Sequence, residues 1–327
     1  MYKSTLNLRE TEKAIKLVKD NFERTLAATL NLERVSAPLF VPDKSGLNDD
    51  LNGVERPVVF DLLDGGENVS VVQSLAKWKR MALKRYGFEP GVGLYTDMNA
   101  IRRDEVMDCL HSVYVDQWDW EKVMTQQDRT IETLKDVVRK IVKSIAHTKQ
   151  LVSHEYKALD LRISEEVFFI TTEELLQKYP GLSPKERENM IAKEHQTVFI
   201  MKIGGKLSDG EKHDGRAPDY DDWQLNGDIL FWYEPLGLAL EISSMGIRVD
   251  AASLNYQLKE AGCESRRNLP YHKALLNGEL PLTIGGGIGQ SRLCLMLLEK
   301  IHIGEVQASV WNDKVQTECR EQGIELL

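Results

Sequence analysis

Thr283-Ile284-Gly285-Gly286-Gly287-Ile288-Gly289-Gln290-Ser291-Arg292 leads straight into the apolar run Leu293-Cys294-Leu295-Met296-Leu297-Leu298. Four glycines in five residues leave no Cβ between this backbone and whatever approaches it. The apolar run reads as a helix with Arg292 in its first turn, which sets a permanently charged guanidinium beside the glycines. That pairing suits the phosphates and planar base of a nucleotide. The competing reading is a glycine-rich turn that merely starts a core helix. The dinucleotide fingerprint is not met, because Arg292 stands where a motif beginning at Gly287 needs its third glycine, and the chain contains no P-loop.

The 327-residue chain carries 51 acidic and 42 basic residues, a formal net charge of −9. Nucleic-acid binding usually leaves a basic footprint, so this balance argues against it and fits a soluble enzyme of small molecules. No apolar run approaches the roughly 20 residues of a membrane helix, and no signal core follows Met1-Tyr2-Lys3-Ser4-Thr5. Cys109, Cys263, Cys294 and Cys319 lie far apart without a CxxC pair, so the expected setting is the reducing cytoplasm. The seven histidines form neither HxH nor HExxH. None is therefore assigned to zinc, and His111 and His213 read as ordinary polar residues. No GxSxG nucleophile motif occurs.

Along the chain, Asn7 and Glu10 predict a capping box for a helix over 7–30, with Ile15, Val18, Phe22, Leu26 and Leu30 on one face. Turn-rich residues fill 43–55, strands are expected at 58–60 and 69–73, and a helix over 74–86. Ile131, Leu134, Val138, Ile141 and Ile145 make a narrow apolar stripe on a helix over 124–150, fit for a partner helix or a subunit interface. Ser183-Pro184-Lys185-Glu186 is a helix start. Strands at 111–120, 197–203, 227–233 and 236–249, the last two a hairpin around Glu234-Pro235, predict an α+β fold. Its sheet is mainly antiparallel and flanked by helices rather than doubly wound. No linker divides 1–327, which reads as a single catalytic domain.

The carboxylates are the second informative feature. Asp219-Tyr220-Asp221-Asp222-Trp223 places three acids in four residues. A hairpin turning near Glu234-Pro235 sets Asp228 almost opposite Glu241, with Cβ atoms about 5 Å apart. Two like charges that close need a cation between them, and a magnesium–nucleotide complex is one; a solvent-facing position for one of them is the alternative. Gln117 and Asp119 share a strand face between Trp118 and Trp120, a setting for a small zwitterion or simply a polar outer face. Lys77, Lys79 and Arg80 sit in the first turns of a helix, against its dipole, which signals function or, more commonly, a solvated basic face. Ile101-Arg102-Arg103-Asp104-Glu105 reads as an exposed charged turn, or as a phosphate clamp if it faces a cleft.

The order of these pieces resembles motifs 2 and 3 of class II aminoacyl-tRNA synthetases of the aspartate and asparagine subgroup. The strings Ser74–Arg80, Leu110–Trp120, Gly204–Gly210, Arg216–Trp223 and Ser243–Asp250 resemble more closely the ammonia-dependent asparagine synthetases, the aspartate–ammonia ligases. These are similar to the same catalytic core without its tRNA-binding parts. The resemblance spans nearly the whole chain.

It implies a class II synthetase-like core in a homodimer that joins L-aspartate to ammonia. ATP and Mg2+ would be used through a β-aspartyl-adenylate, releasing AMP and pyrophosphate. Carried over by position, Arg102, with Arg103 adjoining it, would hold the α-phosphate and Arg292 the γ-phosphate, beside Gly287 and Gly289. Asp228 and Glu241 would bind magnesium. Arg248 would receive the side-chain carboxylate of aspartate, a match of guanidinium to carboxylate geometry. Asp49, Ser74, Lys79, Gln117 and Asp119 would fix its amino and α-carboxyl ends, and Asp221 and Ser244 would line the same pocket. Arg102, Arg292 and Gln117 are the expected catalytic residues. No cysteine is placed to cleave glutamine, so free ammonia is the expected nitrogen source. The rival is an aspartyl- or asparaginyl-tRNA synthetase or a truncated paralogue. Against it stand the negative charge and the expectation that the chain opens directly on a helix rather than on a nucleic-acid-binding barrel.

Overall fold

The computed structural model describes residues 2–48 and 55–327; Asp49 falls outside them. In chain order the first elements are α1 (Leu8–Leu30), β1 (Leu32–Arg34), β2 (Phe40–Pro42), β3 (Val59–Phe60), β4 (Val69–Val71), α2 (Ala76–Tyr86), β5 (Gly93–Ile101) and β6 (Tyr114–Val123). They are followed by α3 (Ile131–Glu155), β7 (Phe168–Thr171), α4 (Thr172–Lys178), α5 (Pro184–His195), β8 (Thr197–Met201), β9 (Asp221–Tyr233) and β10 (Leu238–Arg248). The last are α6 (Ala251–Glu260), α7 (Pro270–Leu276), β11 (Thr283–Gly289), α8 (Gln290–Leu297) and α9 (Asp313–Gln322).

Eight strands form the main sheet in the order β1-β5-β6-β11-β10-β9-β8-β7. Only the outermost pairs, β1 with β5 and β7 with β8, are parallel. Strands β2, β4 and β3 make a small separate antiparallel sheet. The expected mainly antiparallel α+β architecture is what the chain adopts.

One face of the main sheet is apolar. Trp118 and Trp120 from β6, Met245 and Ile247 from β10, and Ile284 and Ile288 from β11 share a core with residues of α1, α3 and α8. Helix α1 begins at the expected capping box: the Glu10 amide donates to Asn7 Oδ1 and the Asn7 amide to Glu10 Oε2. Its buried stripe is Thr11, Ala14, Val18, Phe22, Leu26 and Leu30, and Ile15 is only half-buried. On α3, Leu134, Val138, Ile141 and Ile145 are fully buried and face α1, so this stripe packs within the chain and is not left for a partner subunit. Each such side chain contributes about 1.5–3 kcal/mol by leaving water. The Ser183 start is also as expected, with Pro184 in the first turn and a Ser183–Glu186 capping box.

Two expectations need correction. The glycine run is not a turn before a helix but a central strand, β11, hydrogen-bonded between β6 and β10. The β9–β10 hairpin pairs Glu241 with Leu230 and Asp228 with Ser244, so Asp228 and Glu241 are diagonal rather than opposite. The cause is a longer turn, with Tyr233 pairing Leu238 across the four residues Glu234–Gly237, and an irregularity between Glu241 and Ser243 that shifts the register further.

Candidate active site

The polar face of the main sheet forms a cleft floor. On β6, Gln117, Asp119 and Glu121 point away from the tryptophans, as the period-two alternation of a strand requires. Their partners across the ladder are Gly289, Gly287 and Gly285. A Cβ on Gly285 would overlap the Glu121 carboxylate and the Arg248 guanidinium, and one on Gly287 would overlap the Gln117 amide. The glycines therefore make room for neighbouring polar side chains in the middle of the sheet.

At one end of this floor the charges are paired within the chain. Arg248 donates from Nε (3.0 Å) to Glu121 Oε1 and from Nη2 (2.8 Å) to Oε2, and its Nη1 donates to Asp221. Thr283 Oγ1 donates to Glu121 Oε1 at 2.6 Å. The Lys79 ammonium donates to Asp119 and to the carbonyl oxygens of Trp120 (3.0 Å) and Gly286 (3.1 Å), and lies 3.7 Å from Glu121. Burial pushes the Glu121 carboxyl up, but the Arg248 guanidinium and the Lys79 ammonium outweigh it and hold the group below the usual carboxylate range. The same carboxylates raise Arg248 against its own burial. The three acids of 219–222 each find separate partners. Asp219 meets Arg266 at 3.1 Å, His272 at 3.0 Å and Lys77 at 3.6 Å; Asp221 meets Arg248; Asp222 meets Arg129. At the start of α2, Lys77 and Lys79 are thus buried ion partners and Arg80 is buried with donors on the Pro281 and Val249 carbonyls, rather than forming a solvated face.

The other end is less completely paired. Arg102 follows β5, with its amide bonded to the Val113 carbonyl at 2.8 Å, and its buried Nε has no hydrogen-bond partner among the described residues. Arg102 lines the cleft, while Arg103 is exposed. Arg292, in the first turn of α8, donates to the Glu241 carbonyl at 3.1 Å and lies 3.7 Å from its carboxylate. Asp228 accepts from Arg216 Nη2 at 2.6 Å. Burial pushes the Asp228 carboxyl up, to about 7, with Arg216 pulling it down and Glu241 adding to the rise.

Ser74, Arg102, Gln117, Asp119, Asp221, Glu241, Ser244, Arg248, Gly287, Gly289 and Arg292 all line one cavity of about 460 Å3, a size that suits a small-molecule site. Asp228 lines a side chamber of about 200 Å3, whose wall also includes Glu241 and Asp214. Lys79 is fully buried beneath the floor and touches the cleft lining through Asp119 and the Gly286 carbonyl. Two residues of the site were not singled out from the sequence: Glu121, buried beneath the floor, which the 117/119/121 alternation marks once the strand is placed, and Arg216, which lines the cleft and for which no periodic signal exists.

The family model for aspartate-ammonia ligase matches residues 9–323. The chain belongs to the aspartate–ammonia ligase family. It is 63% identical over 327 residues to the aspartate–ammonia ligase of Ruminiclostridium cellulolyticum, covering 100% of this chain and 97% of that one. The ligase of Fusobacterium nucleatum subsp. nucleatum is 62% identical over 326 residues, covering 100% and 99%. Among solved structures, the asparaginyl-tRNA synthetase of Entamoeba histolytica in complex with asparaginyl-adenylate superposes with a TM-score of 0.66 at 13% identity, covering 92% of this chain and 66% of that one. That of Pyrococcus horikoshii complexed with asparaginyl-adenylate gives 0.65 at 15%, covering 92% and 70%. At such identities these neighbours establish the class II synthetase fold alone. The full-length relatives establish an enzyme of the ligase type that makes asparagine, and not the tRNA synthetase that the sequence left as its rival.

Proposed function

We propose that the cleft activates the side-chain carboxylate of L-aspartate on ATP, forming a β-aspartyl-adenylate that ammonia converts to asparagine, with release of AMP and pyrophosphate. The observation that carries this reading is the division of one cleft into a fully paired end and an under-paired end. A carboxylate is a poor acyl donor because its oxygen leaves slowly, and transfer to the α-phosphorus supplies AMP as a ready leaving group. At the paired end, Arg248 receives the side-chain carboxylate, Asp119 and Gln117 hold the amino end, and Ser74, Asp221 and Ser244 complete the pocket. Lys79 orients Asp119 from below, and Asp49 joins the set by family resemblance. At the other end, Arg102 holds the α-phosphate and Arg292 the γ-phosphate, with Gly287 and Gly289 keeping the wall low.

A divalent cation fits the same reading. No group of three or more ligating side chains occurs among the described residues. Mg2+ typically uses one or two carboxylates together with substrate phosphates, and the diagonal Asp228 and Glu241 offer two. When bound, Mg2+ neutralises charge that builds on the phosphates. The set of residues from 1 to 327 acts as one catalytic domain in this proposal, since the main sheet draws strands from both ends of the chain. A homodimer follows from family resemblance, and light scattering at the monomer mass with full activity would contradict it. No helix of the described residues is long and apolar enough to cross a membrane. A cytoplasmic site of action without nucleic acid fits that finding and the net charge of −9.

Purified protein with aspartate, ATP, Mg2+ and ammonium should yield asparagine, AMP and pyrophosphate in equal amounts. ADP and phosphate would point to an acyl-phosphate route and overturn the adenylate assignment.

A further inference from the structure

The connection between β8 and β9 carries Arg216, whose guanidinium stands where the two ends of the cleft meet. Nη1 donates to Ser244 Oγ, Nη2 donates to Asp228 Oδ1 at 2.6 Å, and Nε lies 3.8 Å from Asp221 Oδ2 without a hydrogen-bond partner among the described residues. Ser244 and Asp221 belong to the paired end, and Asp228 to the phosphate end. Of the other buried cations at the floor, Lys79 is engaged by Asp119 and two carbonyls, and Arg248 gives three of its five N–H donors to Glu121 and Asp221, which leaves two for the substrate carboxylate. A guanidinium has five N–H donors, and Arg216 gives two of them to hydrogen bonds with described residues.

We propose that Arg216 is a further catalytic residue, bridging the aspartate side-chain carboxylate and the α-phosphate as they react. The proposal rests on the substrate placement argued above. In that step a carboxylate oxygen forms a bond to the α-phosphorus. The bond from the α-phosphorus to the oxygen bridging to the β-phosphate breaks, and pyrophosphate leaves with that electron pair; no proton moves. Both reactants are anions, so bringing them together costs electrostatic energy that a cation at the junction offsets. Charge on the α-phosphoryl oxygens changes during the step, so a fixed donor there acts on the transition state more than on either bound substrate. A planar fork can touch two anions at once, which an ammonium cannot do in the same geometry.

The test is aspartate-dependent ATP–pyrophosphate exchange in Arg216→Lys and Arg216→Ala, with calorimetric binding of aspartate and ATP measured beside it. Exchange should fall by roughly 100-fold or more in both variants, the scale for losing one transition-state donor. Dissociation constants should change by less than about fivefold, because the loss is in the transition state rather than in ground-state binding. Added guanidinium ion should restore part of the exchange in Arg216→Ala. Exchange in Arg216→Lys within about threefold of wild type would overturn the proposal, as would a loss accounted for by weaker aspartate binding alone. If Arg216→Ala fails to fold, the lysine variant, which keeps a charge beside Asp228, decides. Absence of exchange in the wild type would sink the adenylate reading itself, whereas normal exchange in wild type and variants alike sinks only the role of Arg216.

Discussion

The two ends of the cleft differ in how their charges are partnered. Glu121, Asp119, Asp221, Lys79 and Arg248 are nearly inaccessible to water, and each meets an opposite charge inside the chain. Arg292 is a quarter exposed, its contact with the Glu241 carboxylate is long, and Arg102 has a buried donor with no partner among the described residues. The first end is built like a receptor whose geometry exists before the ligand arrives. The second has cations whose partners among the described residues are incomplete, as the proposed phosphate site requires. The contrast also separates stability from function: interrupting a buried pair costs about 3–5 kcal/mol, while an exposed pair contributes about 0–1 kcal/mol.

The comparison breaks most visibly at Glu121. Glu121→Ala leaves Arg248 and Lys79 without their shared carboxylate, and the unfolding free energy in urea should drop by about 3–5 kcal/mol. A loss below about 1 kcal/mol would mean that the paired end is not load-sharing in this way. Arg248→Ala should lower pyrophosphate exchange with aspartate at least about a hundredfold, a charge-assisted contact on the order of 2–5 kcal/mol. The wild type should reject asparagine, which lacks the carboxylate, more strongly than glutamate, where one methylene discriminates by only about 1–3 kcal/mol. Equal activation of aspartate and asparagine would remove Arg248 from the substrate pocket.

Arg292→Lys should lose at least about tenfold in kcat/KM, since an ammonium does not reproduce a planar fork. Its melting temperature should stay near wild type, because the side chain is partly exposed and loosely paired. A large fall in melting temperature would place Arg292 among the structural ion pairs instead. The smallest effect is on pH dependence. Glu121 and Asp219 carboxyls are both held below their usual range by cations despite burial. Each therefore binds its proton less readily in the folded state than in the unfolded one. Their contribution is complete above the unfolded carboxylate values near 4 and is lost as pH falls below them. Urea unfolding free energy should decline on acidification below about pH 5, and less steeply in Glu121→Gln.

Local signals were legible in the sequence. The Asn7 and Ser183 capping boxes, the apolar stripes of α1 and α3 and the polar alternation of β6 each depend on residues close together in the chain. What depended on distant packing was not. Gly285–Gly289 form a strand through ladders to β6 and β10, and Gly285 and Gly287 leave the space that Glu121 and Gln117, more than 160 residues away, occupy. The Asp228–Glu241 register shifted with an irregularity that no hairpin pattern marks. Lys79 looked like a cleft residue, but α2 sinks it beneath the floor. Arg216 and the cations around Asp219 come from connections without periodicity, and only the folded chain brings them to the cleft. The resemblance to a family supplied the roles that pattern alone left open.

The central claim is that the cleft joins the aspartate side-chain carboxylate to the α-phosphorus of ATP. It is tested most directly by following oxygen-18 from aspartate labelled in that carboxylate through one round of synthesis with ammonium. Attack at the α-phosphorus and later cleavage by ammonia carry one labelled oxygen into AMP, with none in pyrophosphate. Label in inorganic phosphate, or unlabelled AMP alongside full asparagine formation, would contradict it.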